Sequence, residues 1–391
     1  MRKVWLLMVG AFTLGLDAYV MAGLLPVVAG DLGTTVSLAG QMVTVFTLAY
    51  AVSAPLVAGV LTGVRPRALI IGALGVFTLG NALTALAPGL AVLLLSRAVA
   101  GVGAGVYSAL STAAAAALVP EERRGRALAL VMGGMSSGTV LGVPLGVLLA
   151  EHAGWRATMW GVTGLGALAL AGLALLLPAV PADPPVPVRE RLAALTDRGV
   201  VPVVGVSFLA AVASLGLYTY LAPVLDSAGG VGDADVAPYL WAWGVGGVLG
   251  SVLAGPLVDR TGKAVTLVGG VLVALVVAEG ALPLLGAAAF PALVVWGAAG
   301  WALQVPQQHR LLALRAERGT VALALNNSAL YLGSAVGSGA AGLALSAGLA
   351  PRQLPWAAAV VAAAGLVLHL AGRAAGREPV RAQGYAGAPR A

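Results

Sequence analysis

About twelve stretches of this sequence stay apolar over the roughly 20 residues that a helix needs to cross a bilayer, and no other feature restricts the fold as much. They run over Trp5–Gly30, Leu38–Thr62, Ala68–Ala87, Leu90–Leu118, Ala127–Ala150, Thr158–Leu177, Val200–Leu225, Val236–Leu257, Val265–Leu285, Pro291–His309, Val321–Ser346 and Leu354–Leu370. Inside lipid, every backbone N–H and C=O must find a partner within the protein, so a span is a helix or a strand of a closed barrel. These runs are continuous and lack the alternation of a lipid-facing strand. The sequence therefore reads as an all-α membrane protein with twelve transmembrane helices. Composition agrees: 60% of residues are hydrophobic and 9% charged, against about 25% charged in a soluble domain.

A phrase written twice divides the chain. From Gly59 it reads GVLTGVRPRALIIGALGV, and from Gly255 it reads GPLVDRTGKAVTLVGGVLV. Gly59 pairs with Gly255, Leu61 with Leu257, Arg67 with Lys263 and Ala68 with Ala264. ERRGRALAL from Glu122 is answered by ERGTVALAL from Glu317. Internal repetition of this kind points to a transporter built from two related halves. The one long polar break, Pro178–Gly199, is proline-rich and reads as a linker, with RERLAALTDR as a short helix on the membrane surface. The expected organisation is a six-helix bundle over 1–179, a cytoplasmic linker over 180–199, a second six-helix bundle over 200–374 and a disordered tail over 375–391. The two bundles are expected to be pseudo-symmetric.

The net charge of +7 would point to nucleic acid in a soluble protein. If the helices alternate, however, nearly every Arg and Lys falls on one side of the membrane. Only Arg156 and Arg352 fall on the other side, and Arg97 lies within a helix. The positive-inside rule then places both termini in the cytoplasm of a multi-pass cell-membrane protein. No basic domain is left over for nucleic acid. Arg2 and Lys3 before the first run resemble a signal peptide, but the run is long and many others follow, so it reads as a retained helix. There is no cysteine, hence no disulfide and no Cys-ligated metal. His152, His309 and His369 are scattered and make no metal set. Without a phosphate-binding loop or a nucleophile elbow, the chain is not expected to be an enzyme or to use a cofactor.

Glycine is frequent within the runs. In water an interior glycine costs a helix about 1 kcal/mol; in a bilayer it lets two backbones approach closely. Gly101, Gly103 and Gly105 are expected to form one small-residue face, and Gly134, Gly138, Gly142 and Gly146, four residues apart, another. Such faces serve plain packing or let helices slide during transport. Four further patterns stand in order along the chain. The loop motif G-x-x-x-D-R-x-G-K is complete in the second copy, as Gly255, Asp259, Arg260, Gly262 and Lys263. The first copy keeps Gly59 and Arg67 but has Gly63 and Val64 for the Asp–Arg pair and Pro66 for the glycine. The first run carries LDAYVMAGLLP over Leu16–Pro26, and the fourth carries RAVAGVGAG over Arg97–Gly105. The fifth carries GTVLGVPLG over Gly138–Gly146, followed by WRATMW at the start of the sixth.

In this order and spacing the chain resembles the major facilitator superfamily over nearly its whole length. Within it, the chain resembles the drug:proton antiporter branch of chloramphenicol-resistance and arabinose-efflux permeases. The resemblance implies two six-helix bundles whose central cavity opens alternately to each side. It implies gating roles for Gly59, Arg67, Gly138, Gly142, Pro144, Gly255, Asp259, Arg260, Gly262 and Lys263. A charge latch at Asp259, with Arg260 and Lys263 nearby, is expected against the end of the eleventh helix. The first half should lack one, because Gly63 carries no charge. From the helices that line such a cavity, the resemblance implies substrate contacts from Tyr19, Tyr50, Tyr107, Tyr218, Trp241, Gln304, Asn327 and Tyr331, with Thr44, Thr47, Trp301 and Asn326 beside them.

Three charged residues fall inside runs. A charge at the bilayer centre costs at least about 2.5 to 3.5 kcal/mol on insertion scales, so each needs a reason. Asp17 lies about twelve residues into the first run and is expected to face the central cavity as the proton-coupling carboxylate. The alternative is an Asp near the membrane surface, or one locked to a cation. Arg97 either snorkels to the outer interface or pairs with Asp17 and completes the coupling site. Glu279, in the ninth run, is a second acid, either near the outer interface or paired within the bundle. The leading functional reading is a proton-coupled exporter of a small amphipathic compound, a phenicol-like drug or a metabolite. Efflux of sugars or nucleosides is the alternative, and a receptor or scaffold without transport is a third. The expected partners are a small-molecule substrate, protons and the lipid bilayer, with the protein acting as a monomer.

Overall fold

The computed structural model describes residues 2–60, 64–120, 123–181, 196–232, 236–314 and 319–374. The expected surface helix of the linker and the expected disordered tail lie outside the described residues. The first half holds α1 (Arg2–Asp31), α2 (Val36–Val60), α3 (Pro66–Ala85), α4 (Leu90–Ala117), α5 (Arg124–Ser137), a π-helical turn (Gly138–Gly142), α6 (Val143–Ala153) and α7 (Trp155–Leu176). The second holds α8 (Val200–Thr219), α9 (Leu221–Gly229), α10 (Ala237–Thr261), α11 (Ala264–Leu285), α12 (Phe290–Ala302), α13 (Gln304–Leu314), α14 (Gly319–Ser346) and α15 (Leu354–Ala374). Eleven stretches are long and apolar enough to cross a membrane unbroken, α5 and α6 counting as one. The twelfth span is the tenth apolar run, which is not one helix but α12 and α13, divided at Leu303. The protein is thus an all-helical, twelve-span membrane protein.

The same pairs of spans pack in both halves. In the first, α1 lies on α5 and α7, α2 on α4, and α3 on α4 and α7. In the second, α8 lies on α14 and α15, α10 on α12, and α11 on α12 and α15. Arg67 in the first turn of α3 and Lys263 at the N-cap of α11 hold equivalent places in the two sets.

Glycine sets the closest of these contacts. Gly134, Gly138, Gly142 and Gly146 form a ladder that meets Met8, Phe12, Leu16 and Val20 of α1, which are also four residues apart. A Cβ at Gly138 would lie 2.1 Å from the carbonyl oxygen of Phe12, a distance no side chain tolerates. The ladder crosses the π turn just before Pro144, whose ring has no N–H to give the helix; a wider turn accommodates such a break. In α4 the expected single glycine face divides. Gly101 and Gly105 meet α2 at the carbonyls of Phe46 and Tyr50, while Gly103 meets α3 at Ala73 and Phe77. Residues two apart on a helix point about 200° from one another, so the three cannot share a face.

The halves meet at the end of the molecule where α1 finishes and α2 begins. There Ser37 Oγ bonds the Gly342 carbonyl at 2.5 Å and Ser346 Oγ at 2.6 Å. Thr44 Oγ1 bonds Ser338 Oγ at 2.9 Å, and the Tyr220 hydroxyl donates to the Ser37 carbonyl at 3.3 Å. At the end that carries the termini, α5 packs on α1, α4 and the π turn, and α13 packs on α8, α10, α11, α12 and α14, each within its own half. Among the described residues, the side-chain hydrogen bonds that tie one end of the first half to the second lie at the end where α1 finishes.

The glycine ladder makes a sharp prediction. Gly138→Ala should destabilise the folded protein by about 1–3 kcal/mol through overpacking. Gly133→Ala, one position from the ladder with open space at its Cα, should change stability by no more than about 0.5 kcal/mol. Thermal unfolding of the two variants in detergent checks the contrast.

Candidate functional site

Asp17 and Arg97 are brought together. Arg97 Nη1 donates to Asp17 Oδ1 at 2.8 Å and Oδ2 at 3.1 Å, and to Asn81 Oδ1 at 3.1 Å. The guanidinium lies 4.3 Å over the Phe46 ring, an arrangement that favours a cation. Asp17 is 0% and Arg97 1% exposed. The pair therefore does not open on the space between the halves, which the sequence reading expects Asp17 to face. It is enclosed by α1, α2, α3 and α4 inside the first half. The reason is angular. Gly15 and Leu16 turn to the glycine ladder, so Asp17 turns inward, and Tyr19, about 200° on from Asp17, turns to the second half.

Tyr19 heads an aromatic cluster that crosses the interface. Its ring centroid lies 5.8 Å from Tyr218, 5.9 Å from Trp243 and 6.1 Å from Trp301. Tyr218 and Trp243 are 4.2 Å apart. Nearby, Tyr50 of α2 and Tyr331 of α14 stack across the two halves at 3.6 Å and 22°, with Ser108 and Asn327 around the Tyr50 hydroxyl. Asn326 Nδ2 donates to Gln304 Oε1 at 3.3 Å. Asn327 is exposed although it neighbours Tyr50 of the other half, so it faces the gap between them. Two buried polar atoms of this region have no hydrogen-bond partner among the described residues: Trp243 Nε1 and Asn326 Oδ1. Leaving such atoms unpaired costs about 1–3 kcal/mol each, and a ligand with matching groups would recover that cost.

Two expected contacts belong elsewhere. The Tyr107 hydroxyl donates to the Leu7 carbonyl at 3.0 Å and packs on Gly10, so it ties α4 to α1 inside the first half. Trp241 is 47% exposed and shares a face of α10 with Val245, Val248 and Val252, all exposed. That is a lipid-facing stripe. Its neighbour Trp243 is the residue in the cluster, and sequence reasoning missed it. The available signal was that Trp243 shares its face with Gly247 and Gly250, which touch Trp301 and Ala298, because a glycine-bearing face is a packed face.

The described loop residues are held differently in the two halves. Gly59 falls in the last turn of α2, and Leu61–Gly63 lie outside the described residues. Arg67 Nε and Nη2 donate to the carbonyls of Leu177 and Ala174, each at 2.7 Å. A cation there satisfies open carbonyls at the C-terminus of α7 and opposes its dipole. In the second half, Asp259, Arg260 and Lys263 are exposed, and Asp259 and Arg260 make no ion pair among the described residues. Residues 315–318, the expected partners before α14, lie outside them. Gly262 has φ +59° and its N–H bonds the Val258 carbonyl at 2.9 Å, so this glycine ends α10 in a conformation that other residues seldom adopt. Gly255 has nothing within 4 Å of a notional Cβ.

The Major Facilitator Superfamily model matches residues 7–338. The chain is 34% identical over 376 residues to the inner membrane transport protein YdhP of Escherichia coli K12, covering 95% of this chain and 96% of that one. It is 34% identical over 341 residues to a chloramphenicol resistance protein of Streptomyces lividans, covering 85% and 86%. The solved structure of a D-xylose–proton symporter superposes with a TM-score of 0.77 at 17% identity, over 94% of this chain and 96% of that one.

Two outcomes follow from this geometry. Arg97→Leu should destabilise the protein by about 3–5 kcal/mol, since it strands a buried carboxylate, whereas Asp17→Asn combined with Arg97→Leu should recover most of that loss. Unfolding midpoints of the single and double variants test this. Trp243→Ala should weaken binding of any ligand of the cluster about three- to tenfold, the worth of one aromatic pair, while Trp241→Ala leaves it unchanged. Equilibrium binding to the purified variants reads the difference.

Proposed function

The chain belongs to the Major Facilitator Superfamily, and from that premise we propose that it is a proton-coupled exporter of a small, uncharged, ring-bearing amphipathic compound. The observation that carries the reading is the cross-half aromatic cluster with the unpaired Trp243 Nε1 and Asn326 Oδ1. Such a site offers flat apolar faces, a donor and an acceptor. The described side chains around it carry no charge, because the ion pair of α1 and α4 is enclosed elsewhere. An apolar pocket with a few placed polar groups suits a partly polar aromatic molecule. A phenicol-like compound has that character, and the relative from Streptomyces lividans is named for resistance to one.

The charge distribution supports the direction. With Arg and Lys concentrated at the end that carries the termini, the positive-inside rule makes that end cytoplasmic. The hydroxyl contacts of Ser37, Thr44 and Tyr220 then close the outer end, and on this reading the cytoplasmic end is the open one. Substrate enters from the cytoplasm, and alternation of the two halves exposes it outside. Asp17 is the coupling carboxylate. Held by Arg97 here, it takes up a proton when the alternative packing of α1 frees it, and that exchange biases the two conformations. Gly138, Gly142 and Pro144 are gating residues because α1 pivots on them, and the exposed Asp259 and Arg260 are free to close a latch in the outward state.

Proteoliposomes with an imposed pH gradient test the reading with chloramphenicol, a purine nucleoside and a pentose as substrates. The nitroaryl compound should accumulate against its gradient in the wild type. Asp17→Asn should keep binding within about threefold yet lose gradient-driven accumulation. Accumulation of the pentose alone would sink the proposal.

A further inference from the structure

Glu279 is the buried acid that the exchange above does not use. It is 0% exposed, and neither Oε1 nor Oε2 has a hydrogen-bond partner among the described residues. It lies on the buried face of α11 with Val268, Leu272, Leu275 and Leu282, so its surroundings on that helix are apolar. Next to it, Trp356 Nε1 donates to the Gly280 carbonyl at 3.2 Å, and Gly280 approaches Ala359. The α11–α15 contact is therefore shut at this level. A second feature coincides with it. Pro283 stands four residues on, inside the same helix. Proline has no N–H, so it cannot bond the carbonyl of Glu279, and its ring crowds that carbonyl. The ladder of α11 is interrupted at the residue that carries the unpartnered acid, and such an interruption is where a helix bends.

The ionisable groups on the neighbouring elements lie away from it. On α15, His369 sits beside Gly269, ten residues from Glu279 and so about 15 Å along the helix, with Arg373 beyond. On α13, Arg310 reaches that same His369, and His309 adjoins it. α12 has no ionisable residue, and α8 has only Tyr218 in the aromatic cluster. Asp226 of α9 is exposed, Tyr239 opens α10, and Asp259 and Arg260 lie at its far end.

A carboxylate taken out of water without a cation or hydrogen bonds is too costly to persist, and the group stays neutral instead. We propose that Glu279 is a second proton site, in the second half and separate from the Asp17–Arg97 pair. It carries its proton through this conformation, where no water reaches it, and releases the proton to water when α11 bends at Pro283. The bond made and broken is the carboxyl O–H, and no other reactant is needed. Its use in transport rests on the exchange proposed above; its existence does not.

Infrared spectroscopy of the full chain in liposomes tests this, with D2O as the exchange probe. At neutral pH the wild type should show the C=O stretch of a protonated carboxyl. The band should remain in Asp17→Asn and vanish in Glu279→Gln, with unfolding temperature preserved by the isosteric amide. Should Glu279→Gln not fold, Glu279→Leu gives the same reading. The D2O shift of the band should slow at least about tenfold in Pro283→Ala, which restores the helix ladder. Absence of the band from the wild type, or its persistence without Glu279, overturns the proton site; a wild-type exchange rate in Pro283→Ala overturns the hinge. A wild type that carries the band yet shows no gradient-driven transport refutes the export reading and leaves this site standing.

Discussion

The architecture of the site depends on how closely α1 can approach the fifth span. In a bilayer, lipid tails are as apolar as leucine, so helices gain little from burying apolar surface against each other and rely on close packing. The ladder Gly134, Gly138, Gly142 and Gly146 supplies that packing against Met8, Phe12, Leu16 and Val20. It fixes α1 in rotation as well as in position. Once Leu16 is seated on Gly142, Asp17 has to point into the first half, where Arg97, itself bonded to Asn81, receives it. Tyr19 then has to point out of it, toward Tyr218 and Trp243. One helix therefore presents the ion pair to one side and the aromatic interface to the other.

The interface between the halves is built from neutral groups. Hydroxyls of Ser37, Thr44 and Tyr220 bond carbonyls and hydroxyls across one end, and the Tyr50–Tyr331 stack bridges the middle. Each such bond is worth about 0.5–1.5 kcal/mol net, because water replaces it when the surfaces part. A buried ion pair there would cost several times as much to separate. The ion pairs Asp17–Arg97 and Asp31–Arg156 lie inside the first half instead.

Much of this was legible in the sequence, and the missing parts share a cause. The spans follow from run length, and the α1–α5 contact follows from glycines printed every fourth residue. The partnership of Asp17 with Arg97 follows from the cost of burying either alone. Rotation of a span about its own axis is harder to read. In water, a polar face reveals which side of a helix is outside; in lipid, both sides are apolar. So Trp241 and Trp243, two residues apart, looked alike, although one faces lipid and the other the cluster. The inward turn of Asp17 was obscured for the same reason, as was the division of Gly101 and Gly105 from Gly103. The break at Leu303 between α12 and α13 is marked by Pro306, which has no N–H for the Ala302 carbonyl and crowds it, a signal that run length alone passes over. The arginine tie of the first half was hidden because Arg67 reaches carbonyls about 110 residues away in the chain, and a carbonyl leaves no mark in a sequence.

These placements limit how a proton on Asp17 could act at the ligand site. No described charge lies at the interface for it to attract or repel, and the pair is screened from the cluster by the body of α1. Over one turn of helix, however, α1 is rigid, and its glycine seat leaves little slack. A change in the Asp17–Arg97 contact that shifts α1 on that seat must therefore move Tyr19 with it. On the proposed reading, coupling between proton and substrate is mechanical, carried by two residues of one helix, and the seat that permits it is the ladder on which a single added methyl would jam.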